Sequence, residues 1–214
     1  MHQTPPNVPV NLYQAFVTNR MVRTPLRFLR GILAYKDDPG VRMDDFEEVL
    51  AIGERAPEFT LETPSGEQFS LADHRGEWVV LEFGSYTCPM YRRQLSGMAR
   101  LAREYAERED VTFALVYGKE AHPHQGEFLA IDDPGTYEER RELASRLVAE
   151  EDVPFPVLVD EVPREVSAEY GGAPNMVYLV DPEGRIAYRA LWTDARGLRR
   201  VLREAVESPT AAIR

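Results

Sequence analysis

Cysteine occurs once in the chain, as Cys88. That excludes an internal disulfide, a Cys-x-x-Cys redox pair and any zinc site built on several thiolates. Histidine is also scarce, with His2, His74, His122 and His124 as the whole supply. His122 and His124 beside Glu120 have no third imidazole to complete a specific metal site, so no metal is expected. No apolar run is long enough to span a bilayer, and no transmembrane segment is expected. Met1 to Asn11 contains three prolines and neither lysine nor arginine. No compact apolar stretch follows it, so the opening does not read as a secretory signal. Positive charge is short as well: 25 Lys and Arg stand against 36 Asp and Glu, a net charge of −11. Such a chain is repelled by polyanions, and no nucleic-acid partner is expected. A free thiol is most easily kept reduced in the cytosol, so a cytoplasmic location is expected.

A hydrophobic share of 43% and a charged share of 29% over 214 residues suit one sizeable core with an extension. Residues 1–52 read as an N-terminal helical extension. Thr24-Pro25 is a cap followed by a first-turn proline, and Asp44 to Glu47 caps a further short helix that stops at Gly53. Residues 53–214 read as the main domain. Glu58 to Leu61 and Gln68 to Leu71 form a hairpin around Thr63-Pro64-Ser65-Gly66. Trp78 to Phe83, a helix over Pro89 to Arg108, and Val111 to Tyr117 form a strand, crossover helix and parallel strand. After a polar insertion, the spacing predicts a helix over Tyr137 to Glu150 and a strand over Pro156 to Val159. A short helix or turn within Val162 to Tyr170 follows. Met176 to Val180 and Arg185 to Ala190 pair as a hairpin around Asp181-Pro182-Glu183-Gly184, and a helix over Asp194 to Glu207 ends the domain.

The chain is organised around Val79 to Tyr91, where a β-branched apolar run ends at Gly84 and a short polar loop leads to Cys88 and Pro89. From Tyr91 the apolar period changes from two to about 3.6, which marks a helix. Pro89 fits the first helical position because its missing N–H has no intrahelical acceptor there. Cys88 therefore falls at the helix cap. The free N–H groups of Met90 and Tyr91 and the dipole's positive end favour a thiolate, so a depressed pKa is expected. The bland alternative is a buried cysteine acting as a small hydrophobe.

Other residues surround that position. Thr87 can offer its hydroxyl to the sulfur or simply cap the local backbone. Glu120 and His122 alternate by two, so an extended segment points both to one side. There, His122 can exchange a proton while Glu120 orients its ring. The alternative for both is an exposed polar loop. Tyr117 can bond within the pocket or end a core strand. Arg92, one turn past Cys88, can support a thiolate or remain solvated.

Gly53 to Leu61, Gly66 and Phe69-Ser70-Leu71 resemble the start of a redoxin domain. Phe83-Gly84-Ser85, Thr87-Cys88-Pro89 and Tyr117-Gly118-Lys119-Glu120-Ala121-His122-Pro123 resemble the iodothyronine deiodinases, a family of reductive dehalogenases. The resemblance implies an α/β fold: a thioredoxin-like mixed sheet with helices on both faces. It places Cys88 where that family carries selenocysteine, and matches Tyr117, Glu120 and His122 to its proton-handling cluster. Gly172-Ala173-Pro174-Asn175 follows the thioredoxin pattern, which implies a cis Pro174 facing the nucleophile. Ser85 and Pro174 are then loop and substrate-positioning residues beside Tyr117. Two departures accompany the match. The additional cysteine often found just before the selenocysteine is absent, and Ile131 to Arg140 lacks the histidine that the family uses to hold the phenolic end of its hormone.

The leading expectation is a cysteine-dependent thiol oxidoreductase that reduces a peroxide, a disulfide or a related small oxidised substrate. No bound cofactor is expected. With no second cysteine, an external thiol such as glutathione or a small redox protein must regenerate Cys88. The alternatives are a deiodinase-like reductive dehalogenase of iodinated phenols and a noncatalytic thioredoxin-fold binding protein. The sequence does not specify the oligomeric state, and a homodimer is compatible with it.

Overall fold

A computed structural model describes residues 46, 49–121, 128, 130–163 and 166–207. Apart from Phe46 and residues 49–52, the N-terminal extension lies outside the described residues, as do His122 and His124.

The first strands, β1 (Thr60–Glu62) and β2 (Gln68–Ser70), pair antiparallel across the expected turn. After a 3-10 turn at Leu71–His74 come β3 (Trp78–Gly84), α1 (Pro89–Glu104) and β4 (Val111–Tyr117). Helix α2 (Tyr137–Glu150), β5 (Val157–Val159) and the short α3 (Val166–Glu169) follow. The chain then forms β6 (Val177–Val180), β7 (Ile186–Ala190) and α4 (Ala195–Glu207). Helix α1 ends four residues before Arg108, where the periodicity had predicted its end, because Tyr105 leaves helical geometry at φ −107° and ψ 5°. Helix α2 starts with a complete capping box, Thr136 accepting from the Glu139 N–H and the Glu139 side chain accepting from the Thr136 N–H.

The seven strands form one sheet in the order β2-β1-β5-β4-β3-β6-β7. Strand β3 is parallel to β4 and β4 to β5, whereas β6 joins the other edge of β3 antiparallel. Both crossovers step in the same direction across the sheet. Right-handed connection therefore puts α1 and α2 on one face. Helix α4 joins them there: Met98 and Leu101 of α1 pack with Leu198 and Leu202 over Val80 and Val177. Phe46, Leu50, Leu71, Val166 and Tyr170 cover the other face over Leu81, Phe83 and Tyr178. This is the expected mixed sheet with helices on both faces.

The parallel arrangement of β3 and β4 brings their carboxyl ends together, with Gly84 opposite Tyr117. Loops leaving these ends carry Cys88 and Glu120 to one place. At Gly84 a side chain is excluded by close approach, since a Cβ there would lie 2.5 Å from Cδ2 of Tyr91. The bare backbone lets the first turn of α1 rest on the strand end.

Candidate active site

Cys88 caps α1 in an extended conformation, φ −79° and ψ 109°, and Pro89 occupies the first turn. Its sulfur accepts a hydrogen bond from the Tyr91 N–H at 3.5 Å, while its own N–H donates to the Ser85 carbonyl at 3.1 Å. The position is the one read from the sequence, but the environment is not. Cys88 is 1% exposed, and packs in a cluster with Tyr86, Tyr91, Tyr117, Phe128 and Leu147. Burial pushes the thiol up to about 12, against the downward pull of the Tyr91 and Met90 N–H groups. The carboxylates of Glu120 and Glu82 push the same way as burial. The expectation of a depressed pKa is therefore reversed for this closed arrangement. The helix end offers a few partial charges, whereas burial removes the whole hydration of a thiolate.

Four other expected site residues gather around the cysteine loop. Both the N–H and the hydroxyl of Thr87 donate to Oε2 of Glu120, at 2.7 and 2.6 Å. The Tyr117 hydroxyl donates to Oε1 of Glu120 and accepts from the Tyr86 N–H at 3.2 Å. Oγ of Ser85 accepts from the Ala121 N–H at 3.3 Å. Ser85, Thr87, Tyr117 and Glu120 are all at most 1% exposed. Glu120 thus clamps the residue preceding the cysteine, and Tyr117 serves as both core strand end and pocket hydrogen-bonding group. Burial raises the Glu120 pKa despite its three donors, and raises that of Tyr117 further above its ordinary range. His122, the remaining expected member, lies outside the described residues.

Pro174 approaches the strand ends from another side. With Gly84, Gly118, Lys119 and Ser167 it lines a narrow cleft of about 10 Å³. The resemblance implied a cis bond here, but the Ala173–Pro174 bond is trans. Gly171 and Gly172, at φ +100° and +64°, reverse the chain just before it, in a backbone region open to glycine. Arg92 engages Glu151 at 2.6 Å and stacks over the rings of Tyr86 and Phe128, centred 5.1 and 5.4 Å away.

One residue of the site escaped sequence reasoning. Glu82 sits on β3 six positions before Cys88, fully buried, with no hydrogen-bond partner for either carboxylate oxygen among the described residues. Burial pushes its pKa up to about 8, so the side chain holds a proton at neutral pH. It is close enough for its charge to disfavour ionisation of both Cys88 and Tyr91. The signal was present: Val79-Val80-Leu81-Glu82-Phe83 interrupts a buried apolar run with one carboxylate. Native strands exclude such a group unless it has partners or a task.

Sheet order, crossover helices and a cysteine capping the helix after the central strand define a thioredoxin-fold protein of the redoxin type. A solved thiol:disulfide interchange protein of the thioredoxin family from Chlorobium tepidum TLS has the same fold. It matches with a TM-score of 0.55 and 16% identity, covering 73% of this chain and 98% of that one. The thioredoxin-like protein YneN of Bacillus subtilis is 31% identical over 136 residues, 63% of this chain and 68% of that protein. The thyroxine 5-deiodinase of Ovis aries is 31% identical over 158 residues, 70% of this chain and 52% of that enzyme. The family model for iodothyronine deiodinase matches residues 35–197. The chain belongs to the iodothyronine deiodinase family, within the broader group of thioredoxin-like oxidoreductases. It spans about half the length of the curated thyroxine 5-deiodinases of sheep, cattle and pig.

Proposed function

We propose that the chain is a thiol-dependent oxidoreductase in which Cys88 is the nucleophile and an external thiol restores it. The observation that carries this reading is Cys88, capped by the Tyr91 N–H, within electrostatic reach of a buried Glu82 that has no hydrogen-bond partner among the described residues. A carboxyl group that titrates near 8 can both take and return a proton at neutral pH. In the closed arrangement the sulfur is a protected thiol. Displacing the cluster over Cys88 rehydrates the sulfur and removes the largest cause of its high pKa, while the helix-end N–H groups remain.

With a peroxide, the thiolate attacks the O–O bond, forming a sulfenic acid, and the departing alkoxide takes a proton from Glu82, which the proton given up by the Cys88 thiol replaces. An external thiol then converts S–OH to a mixed disulfide with loss of water. A second thiol displaces the Cys88 thiolate and leaves as a disulfide, and its own proton restores the Cys88 thiol. Glu120, held by Thr87 and Tyr117, positions the loop, and His122 is assigned proton exchange with the leaving group.

Family membership favours a second reading, reductive deiodination. There the Cys88 thiolate attacks iodine on a phenolic ring. The ring carbon takes a proton, and an external thiol releases iodide from the sulfenyl iodide as a mixed disulfide. Sulfur in place of selenium and the absence of histidine from Ile131 to Arg140 weigh toward the first reading.

The deciding experiment treats the chain with one equivalent of peroxide and then glutathione, and measures intact mass without reductant. A single glutathione adduct at Cys88, absent in Cys88→Ser and reversed by excess thiol, is the expected result. Iodide release from an iodophenol with no peroxide consumption would replace this reading with the second. Neither reaction, with Cys88 titrating as an ordinary thiol, would leave a noncatalytic binding protein.

A further inference from the structure

Helices α1 and α4 lie side by side on one face of the sheet. The Ala195 N–H donates to Oε1 of Gln94 at 3.3 Å, and a Cβ on Gly97 would sit 2.9 Å from that of Ala195. Helix α4 therefore starts level with the second turn of α1. Between them the helices carry eight arginines against three glutamates, although the chain as a whole has a net charge of −11. Arg199 bridges to Glu104 at 2.6 Å, tying one helix to the other, and Arg103 pairs with Asp152. Arg93, Arg100, Arg196, Arg200 and Arg203 are exposed and make no ion pair among the described residues. Arg93 and Arg100 are seven residues apart, and Arg196, Arg200 and Arg203 follow at four and three, so each helix presents a stripe.

Lysine contributes nothing to this face, since Lys36 and Lys119 are the only lysines in the chain. Guanidinium groups form two parallel bonds to a carboxylate, and arginine is enriched at protein interfaces. No large hydrophobic residue accompanies the arginines. Val148, on α2, is the one exposed large hydrophobic among the described residues. A helix that inserts into a membrane surface presents a second, apolar face, and a single-strand nucleic-acid surface carries exposed aromatics. The face has the chemistry of a docking site for a carboxylate-rich protein.

Its place in the fold narrows the partner further. Helix α1 begins at Cys88, and Arg93 lies about 7 Å along the axis from it. Arg100 lies about 18 Å along that axis, and the Arg199–Glu104 bridge sets Arg200 and Arg203 near the far end, so a partner seated on the stripes reaches the cysteine end at Arg93. We propose that the α1–α4 arginine face docks an acidic Cys-x-x-Cys redox protein that reduces oxidised Cys88. This rests on the reading of Cys88 as a redox thiol and names its reductant. The rest of the chain is acidic in sum and disfavours such a partner in other orientations, so a basic face favours this approach. One partner thiol converts the Cys88 sulfenic acid to a mixed disulfide with release of water. The other partner thiol displaces the Cys88 thiolate, which takes a proton, and the partner departs as an internal disulfide.

The probe is a reduced acidic thioredoxin. Its affinity for the chain is measured by titration calorimetry at low and high salt. The rates at which it and uncharged dithiothreitol reduce peroxide-oxidised Cys88 are followed by intact mass. R93E/R100E/R200E should weaken binding and slow thioredoxin-dependent reduction about tenfold or more while leaving the dithiothreitol rate unchanged, and high salt should erase the difference. R93Q/R100Q/R200Q should give an intermediate loss, and serves if the reversed variant folds poorly. Equal affinity and equal thioredoxin rates in native and variant chains would overturn the proposal. So would loss of sedimentation with phosphatidylserine vesicles while thioredoxin binding stays unchanged, which would assign the face to a membrane surface. Failure of peroxide to oxidise Cys88, or of dithiothreitol to restore it, would instead defeat the redox reading, with the calorimetry still judging the surface.

Discussion

At the scale of single residues, two buried acids define the chemistry of the cysteine end. Cys88 and Glu82 are both neutral at pH 7, because burial penalises each charge more than the surroundings compensate it. Glu82 makes this visible as pH-dependent stability. Its carboxyl titrates near 4.5 when unfolded and near 8 in the fold, so between those values the native state binds the additional proton. That contribution to stability is fully present below about pH 4.5 and is lost as pH rises through 8. Glu82→Gln cannot ionise and escapes the loss. Relative to the native chain it should gain about 3 kcal/mol between pH 4.5 and 7, read from urea midpoints across that range. Parallel stability curves for the two chains would show that Glu82 is ionised or hydrated in the fold. The carboxylate was legible as an anomaly in an apolar strand. Its pairing with Cys88 was not, because strand alternation says which face a residue takes but not which helix cap lies above it.

Among the elements, the junction from β3 to α1 is the most closely fitted. Gly84 ends the strand against the ring of Tyr91, whose N–H faces the Cys88 sulfur. Tyr91 is completely buried and has no room to retreat. Gly84→Ala should therefore lower stability by about 1–3 kcal/mol, seen as an earlier denaturant midpoint with unchanged far-ultraviolet dichroism. An unchanged midpoint would mean that the helix start can shift without cost. Strand and helix were both readable from the change in apolar period, and Pro89 marked the boundary. The helix dipole argument led to the wrong direction for the thiol because it counted the N–H groups and not what packs above them. The cluster that buries Cys88 draws on Phe128 and Leu147, 40 and 59 residues along the chain from it.

Over the whole molecule, the boundary expected at residue 53 meets a core that reaches further back. Phe46 is 3% exposed, its ring centre 5.8 Å from that of Tyr178, and the buried Arg189 stacks over it while donating to the Leu50 carbonyl. Phe46→Ala should cost about 3–5 kcal/mol and appear as one earlier cooperative transition in urea. An unaltered transition would show that the segment packs independently of the sheet. What the sequence determined by itself is the order and type of the elements. Apolar periodicity, turn residues and right-handed crossover act over short stretches and leave little choice for β3, α1, β4 and α2. It also determined the capping position of Cys88. Only the tertiary structure decided that the thiol is sealed, that Ala173–Pro174 is trans, and that Glu82 is buried near enough for its charge to act on the cysteine. Only it set the arginines of α1 beside those of α4. Each of these depends on residues far apart in the chain meeting across the sheet, where burial and distance, rather than local pattern, set the energies.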